Sequence, residues 1–345
     1  MRLLFVTDAW LPQVNGVVHT LRQLQQELPK FGVTPLYLTA EGYRTAPLPG
    51  YSEIRLALAT PGQVGRAIEA HEPDHIHIVT EGPLGLWARR YCRAARRPFT
   101  TSYHTRFPEY LSARLSLPES WSYAFFRHFH NEAEATLAPT QSMVDELIKR
   151  GFSKVKPWTR GVDPQVFRPD LKIEMDFPRP IFLCVGRVSS EKNLPAFLDL
   201  DLPGSKVVVG HGPELERLRA RYPKAHFLGY QPPDSLAQIY ASADVFVFPS
   251  LTETFGNVVI EALSSGTPVA AYPAPGPIDI LGDGLGGVLS HDLREAALAA
   301  LKTPREDARA KAAQYTWHAC ATILMDTIHQ ARRARQGQVS EPAKR

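Results

Sequence analysis

Short apolar runs, most of them followed by a stretch of helical periodicity, recur along the chain. In the first half the runs fall at residues 3–8, 33–39, 75–79, 99–103 and 136–140, with helical stretches at about 17–28, 86–97, 121–130 and 141–150. In the second half they fall at 180–185, 207–209, 227–229, 243–249 and 269–271, punctuated by glycine turns. This alternation predicts parallel sheets flanked by helices, an α/β fold. A chain of 345 residues is long enough for two such domains. Residues 169–180 carry three prolines, mixed charge and little periodicity, and read as a linker. The expected layout is an N-terminal domain 1–168, the linker, a second domain 181–314, a last helix 315–331 and a disordered tail 332–345.

Composition narrows the class. Hydrophobic residues make up 44% and charged residues 21%, which suits a globular chain and not a disordered one. No apolar run approaches a membrane span, and the start of the chain turns acidic at Asp8, too early for a secretion signal. Cys92, Cys184 and Cys320 lie far apart and match no metal spacing, so a reducing cytoplasm is the expected setting. The net charge of +4 is uneven: +4 over 1–170, −4 over 171–330 and +4 over 331–345. Such an excess suits an anionic membrane surface, and an ordinary solvated surface equally well; no nucleic-acid partner is expected.

The most informative stretch is Glu253-Thr254-Phe255-Gly256-Asn257, between the run at 243–249 and a helix that ends before Gly266-Thr267-Pro268. Thr254 is placed as N-cap, which leaves the N–H groups of Gly256, Asn257 and Val258 pointing out of the helix start, a phosphate site into which Gly256 allows close approach. Glu253 precedes the helix and Glu261 lies about two turns in. Carboxylates beside a phosphate site make sense as acceptors for sugar hydroxyls; otherwise they are solvated flank residues. Arg187 and Lys192 lie in a loop leaving a strand, where two cations can hold a diphosphate. Asn15-Gly16, able to adopt positive φ, makes a tight strand-to-helix connection at a ligand edge. His104 stands at the C-terminal end of the run at 99–103, the same edge of its sheet.

Other features have blander readings. His75-Ile76-His77 puts two imidazoles on one strand face with no evident third metal ligand. Asp199-Leu200-Asp201 sits in a loop and is a weak metal motif. Arg89, Arg93, Arg96 and Arg97 share one helix face, solvated or laid on an anionic membrane. Trp121, Phe125 and Phe129, at four-residue steps, read as a core stripe, part of which could dip into lipid.

Glu253 and Glu261 with Gly266-Thr267-Pro268-Val269 after them, and Arg187 with Lys192 before them, resemble the signature of the family 4 retaining glycosyltransferases. Ser102-Tyr103-His104-Thr105 resembles the lipid-glycosylating branch, which includes sulfoquinovosyl- and mannosyl-transferases. The resemblance implies two Rossmann-like domains facing across a cleft (the GT-B type), with the last helix crossing back to the first domain. It implies a nucleotide-sugar donor, UDP- or GDP-linked, as co-substrate and no metal or other cofactor. Arg187 and Lys192 would hold the donor diphosphate, Glu253 hydroxyls of the donor sugar, and Glu261 the ribose. Of the family's usual Gly-Gly pair near the diphosphate only Gly16 is present. Gly212, in Gly210-His211-Gly212-Pro213, and Tyr230, at a strand end, would lie near the nucleotide, and His104 would reach the reacting sugar. The catalytic set is then His104, Arg187, Lys192 and Glu253, with Gly16, Gly212, Tyr230, Thr254, Phe255, Gly256, Asn257 and Glu261 binding substrate. The expected reaction moves a hexose to a membrane glycerolipid such as diacylglycerol, with the enzyme peripheral on the inner face of the plasma membrane. A polysaccharide, lipopolysaccharide or soluble acceptor is the alternative. A sugar-nucleotide epimerase or a non-catalytic nucleotide-sugar-binding protein would share the architecture. A nicotinamide dehydrogenase is disfavoured, because no Gly-x-Gly-x-x-Gly follows the first run.

Overall fold

A computed structural model describes residues 1–13, 15–48, 51–109 and 118–339. It divides into two compact units: residues 1–159 with 317–345, and residues 160–316.

In unit 1 the elements run β1 (Arg2–Val6), α1 (Gly16–Glu27), β2 (Thr34–Leu38), β3 (Thr45–Leu48), β4 (Tyr51–Ala57), α2 (Pro61–His71), β5 (His75–Ile78) and α3 (Pro83–Ala94). They continue through β6 (Phe99–Ser102), α4 (Glu119–His130), β7 (Thr136–Ala138), α5 (Gln141–Lys149) and β8 (Val155–Pro157). The parallel sheet has the order β2-β1-β5-β6-β7-β8, and β3 and β4 form a separate antiparallel hairpin. The order reverses between β1 and β5, so loops leaving their C-terminal ends diverge and open a crevice where α/β folds take ligands.

Unit 2 runs β9 (Ile181–Val185), α6 (Leu194–Leu198), β10 (Ser205–Val209), α7 (Leu215–Arg221), β11 (His226–Gly229), α8 (Pro233–Ser242) and β12 (Val245–Phe248). It then runs α9 (Asn257–Ser264), β13 (Val269–Ala271), α10 (Pro277–Leu281), β14 (Gly287–Leu289), α11 (Leu293–Ala300) and α12 (Arg305–Ala312). Its sheet order, β11-β10-β9-β12-β13-β14, is the dinucleotide-fold order, with the reversal between β9 and β12. Every residue of β9 and β12 is buried, as strands covered by helices on both faces require.

The last helix, α13 (Trp317–Val339), belongs to unit 1. Cys320, Leu324 and Ile328 pack with Leu3, Phe5, Leu21 and Leu24 on the face of β1 and α1, and Trp158 Nε1 donates to Cys320 O at 2.9 Å. Each such large apolar side chain removed from water stabilises the fold by about 1.5–3 kcal/mol.

Several expectations need correction. Residues 169–180 are not a linker: unit 2 begins at Arg160, Met175 and Phe177 pack on its core, and Ile173 N donates to Ser242 Oγ. Proline there breaks periodicity without breaking packing. The tail expected from 332 is helical to Val339, and 340–345 lie outside the described residues. Asn15 is extended (φ −154°) and caps α1 with its side chain, which accepts from Val17 N and Val18 N, so the turn needs no positive φ at that residue. The aromatic stripe is not core: Trp121 is 71% exposed and Phe125 46%, and only Phe129 is buried, beside Tyr123 and Phe126. Nor is the arginine face free for a surface. Arg89 and Arg93 both grip Glu132, Arg97 donates to Pro73 O, and Arg96 lies past the helix end. The pairing gives these cations internal partners, which hold α3 to the turn after α4.

Candidate active site

In unit 2 the two motif loops leave neighbouring strands at the point of reversal. The loop after β9 runs from Gly186 through a single turn of 3-10 helix, Ser190–Lys192. Asn193 then turns back with φ 52°, and its Nδ2 donates to Pro249 O, 3.1 Å away, in the loop after β12. That clasp sets Lys192 opposite Glu253: Lys192 Nζ stands 2.5 Å from Glu253 Oε2, with both side chains half-buried. The remaining oxygen of Glu253, Oε1, accepts from Thr254 N at 3.1 Å. Arg187 is exposed in the same loop. Glu191 beside it is held below the usual carboxylate range: burial alone would raise it, but the Ser189 hydroxyl and the cations Arg187 and Lys192 outweigh that.

Thr254 does not cap the following helix. The N-cap is Gly256, with φ 92°, and α9 begins at Asn257 without a side-chain cap. The left-handed residue starts the helix two positions beyond the expected start. Glu261 therefore lies little more than one turn in, not two. Phe255 is buried, in edge contact with Tyr315, and anchors the loop to the unit's core. Glu261 accepts from the hydroxyl of buried Tyr240 at 3.1 Å, and its carboxyl is pushed up to about 7 by burial, against the lowering effect of that hydrogen bond. Tyr240 has no motif signal in the sequence; its partnership is made only by the packing of α8 on α9.

Gly212 is a glycine for a packing reason. A Cβ there would lie 2.3 Å from Val188 O, because the turn after β10 lies directly against the Arg187 loop, with Val188 N donating to His211 O at 3.0 Å. Tyr230 follows β11 and is 66% exposed.

In unit 1, Gly16 is the exposed first residue of α1. Asp8, at the end of β1, points inward: it accepts from Ala57 N and Leu84 N, and burial pushes its carboxyl up to about 6. His104 follows β6 and contacts Ser102 Oγ through Nε2 at 2.8 Å, its ring edge-on to buried Trp158. His75 and His77 bind hydroxyls of β6. Among the described residues no group of three or more His, Cys, Asp or Glu is gathered to hold a metal, and Asp199 instead accepts from the Tyr222 hydroxyl. Among the same residues no helix is long and apolar enough to cross a membrane.

Comparison with known proteins places both units. Residues 14–166 match the model of Glycosyltransferase Family 4, and residues 179–303 that of Glycosyl transferases group 1. A GDP-mannose-dependent alpha-mannosyltransferase of Mycobacterium tuberculosis is 33% identical over 307 residues, 81% of this chain and 81% of that one. The alpha-monoglucosyldiacylglycerol synthase of Streptococcus pneumoniae is 29% identical over 349 residues, 87% of this chain and 78% of that one. Among solved structures, sucrose-phosphate synthase from Thermosynechococcus elongatus superposes with a TM-score of 0.76 at 19% identity, covering 96% of this chain and 99% of that one, a likeness of fold.

Proposed function

We propose, from the premise that this chain belongs to the family 4 glycosyltransferases, that it moves a hexose from a nucleoside-diphosphate sugar to a hydroxyl of a membrane glycerolipid such as diacylglycerol. The transfer retains anomeric configuration and needs no metal. The observation that carries this reading is the Lys192–Glu253 pair beside the uncapped start of α9. A cation, a carboxylate and outward N–H groups converge at the reversal of a dinucleotide-type sheet.

Bond breaking at the anomeric carbon builds negative charge on the leaving diphosphate and positive charge on the sugar ring. Lys192, Arg187 and the N–H groups at Asn257 and Val258 stabilise the first. Glu253 holds donor-sugar hydroxyls, and Glu261, steadied by Tyr240, holds the ribose. His104 is assigned to the reacting sugar on the family resemblance alone. The leaving phosphate takes the acceptor's proton, so no separate carboxylate base is required.

A GDP-sugar is the donor to try first, since the mycobacterial relative is named for GDP-mannose. The glycerolipid acceptor is supported by the relative named as a diacylglycerol glycosylating enzyme and by exposed Trp121 and Phe125, which suit a peripheral site on the cytoplasmic face of the membrane. The test is nucleotide release from GDP-mannose and a panel of UDP-sugars, with and without diacylglycerol vesicles. Vesicle-dependent release with a glycolipid product is the expected result. Release without acceptor would point to hydrolysis or epimerisation, and silence across the panel to carbohydrate acceptors or a binding role.

A further inference from the structure

Arg305, the first residue of α12, is used in neither motif, yet it ties together the two helices that carry Tyr240 and Glu261. Its Nη1 donates to Ala243 O at 2.9 Å, and its Nη2 to Ala241 O at 2.6 Å, Ser265 O at 3.4 Å and Thr267 Oγ1 at 3.4 Å. Ala241 lies in the last turn of α8 and Ala243 is its C-cap, while Ser265 is the C-cap of α9. Carbonyls at such positions have no partner within their own helix, and both helix ends carry partial negative charge. One half-buried guanidinium thus caps two helices at once. Its rigid fork of donors suits several oxygens together, which the compact ammonium of a lysine does not. Arg179 also donates to the end of α8, at Ser242 O, but its charge is paired with Asp244 at the start of β12. Arg179 therefore holds α8 to the sheet, and Arg305 holds α8 to α9.

The clamp lies close to the Tyr240–Glu261 pair. Tyr240 directly precedes Ala241, and its own carbonyl accepts from Thr267 Oγ1 at 2.5 Å. Glu261 O accepts from Ser265 N at 3.1 Å, so the clamped Ser265 carbonyl stands one helical turn beyond Glu261. The Tyr240 hydroxyl meets Glu261 Oε2 at 3.1 Å. Opening the helices by about 0.5 Å would carry that contact to about 3.6 Å, beyond a hydrogen bond. The Tyr240 ring is fully buried and edge-on to Phe167 and Phe246, so close packing keeps it from swinging to follow.

We propose that Arg305 is a positioning residue for recognition of the donor's ribose, acting on the Tyr240–Glu261 pair through the spacing of α8 and α9. This deepens the assignment of Glu261 to the ribose and rests on that reading. A carboxylate that accepts from sugar hydroxyls must present its oxygens in the right direction, so its orientation matters as well as its presence. The Tyr240 hydroxyl supplies that orientation at Oε2. Without Arg305 the carbonyls of Ala241, Ala243 and Ser265 turn to water, the helix ends lose their common tie, and the hydroxyl leaves the carboxylate.

The test is calorimetric binding of GDP and UDP, and of their 2′-deoxy and 3′-deoxy analogues, to the full chain. Wild type should prefer the ribonucleotide by roughly tenfold or more, the scale of a hydrogen bond to a charged group. Glu261→Ala should abolish that preference. Arg305→Ala should remove most of it while the deoxy analogues bind nearly as they do to wild type. Tyr240→Phe should act alike, and adding Arg305→Ala to it should cost little more, because both changes act on one contact. If Arg305→Ala does not fold, Thr267→Val, which removes the hydroxyl between Arg305 and Tyr240 O, carries the same expectation. Equal weakening of ribose and deoxyribose forms in folded Arg305→Ala would make Arg305 a staple of the fold and nothing more, and overturns the proposal. So does a ribose preference kept by Arg305→Ala and lost in Glu261→Ala, which leaves the Glu261 assignment standing. No preference in wild type, or one that survives Glu261→Ala, overturns that assignment and the proposal with it.

Discussion

Lys192 and Glu253 lie 61 residues apart in the chain, yet their charged groups meet at 2.5 Å, each carried on a loop from one of the two strands that flank the sheet reversal. In the resting protein the carboxylate occupies the cation. On the proposed function, a donor bringing its own diphosphate would exchange that partner, leaving Glu253 to turn to sugar hydroxyls. Lys192→Ala should lower kcat by roughly a hundredfold, the scale for losing a preorganised charge partner. The double variant with Glu253→Ala should lose less than the two single losses multiplied, as residues in one interaction do. Steady-state nucleotide release measures both. Near-normal turnover in folded Lys192→Ala would remove Lys192 from the mechanism.

Glu261 predicts a pH dependence of stability. Its carboxyl rises from 4.5 to about 7 on burial in the fold. Between those values the folded state keeps a proton that the unfolded chain releases, so this group's contribution to stability is lost as pH rises through the window. Glu261→Gln removes that dependence. Urea unfolding should show the variant gaining on wild type, on the order of 2 kcal/mol, between pH 5 and pH 8. An equal difference at both pH values would contradict the assignment. Asp8 titrates over an overlapping range, and comparing variant with wild type cancels it.

Gly212→Ala should destabilise unit 2 and disturb donor use together. The added Cβ would stand 2.3 Å from Val188 O and 2.7 Å from Val188 C, both backbone, so the Arg187 loop must move. The expected cost is about 1–3 kcal/mol, read by thermal or urea unfolding, with a raised KM for the donor. An unchanged KM would mean that the loop absorbs the methyl without shifting Arg187.

Trp121 and Phe125 stand on the solvent side of α4, so replacing both with alanine should leave the unfolding midpoint nearly unchanged. If they enter lipid, each forfeits about 1.5–3 kcal/mol of apolar burial there. Binding to anionic diacylglycerol vesicles should then fall by tenfold or more in a sedimentation assay. Unaltered sedimentation would assign the membrane contact elsewhere.

The motif order, the α/β class and most strands were legible because buried parallel strands are continuous apolar runs, as Ile181–Val185 and Val245–Phe248 are. The second unit's loops stood out because Arg187, Lys192, Glu253 and Glu261, residue types that suit phosphate and sugar groups, lie in or just after loops leaving apolar runs. What stayed hidden was phase and partnership. Steps of four residues advance about 40° per step around a helix, so Trp121 drifts about 80° from Phe129 and leaves the core face. Arg89 and Arg93 look solvated until Glu132, beyond the next helix, is brought beneath them. The Tyr240–Glu261 pair and the bonds of His75 and His77 to β6 hydroxyls depend on which strands and helices become neighbours, which no local pattern encodes.

Unit 1 is discontinuous in sequence, whereas unit 2 is a single stretch from Arg160 to Thr316. A ribosome therefore finishes unit 2 before it finishes unit 1. Until Trp317 and the turns after it emerge, Leu3, Phe5, Leu21 and Leu24 lack the apolar cover that α13 supplies. At about 5–20 residues per second, the wait from Thr159 to the end of that helix is on the order of ten seconds or more, with an uncapped hydrophobic face exposed to chaperones and to other nascent chains. The order of synthesis makes the first-translated half the last to be completed, and makes C-terminal truncation a defect of the N-terminal unit.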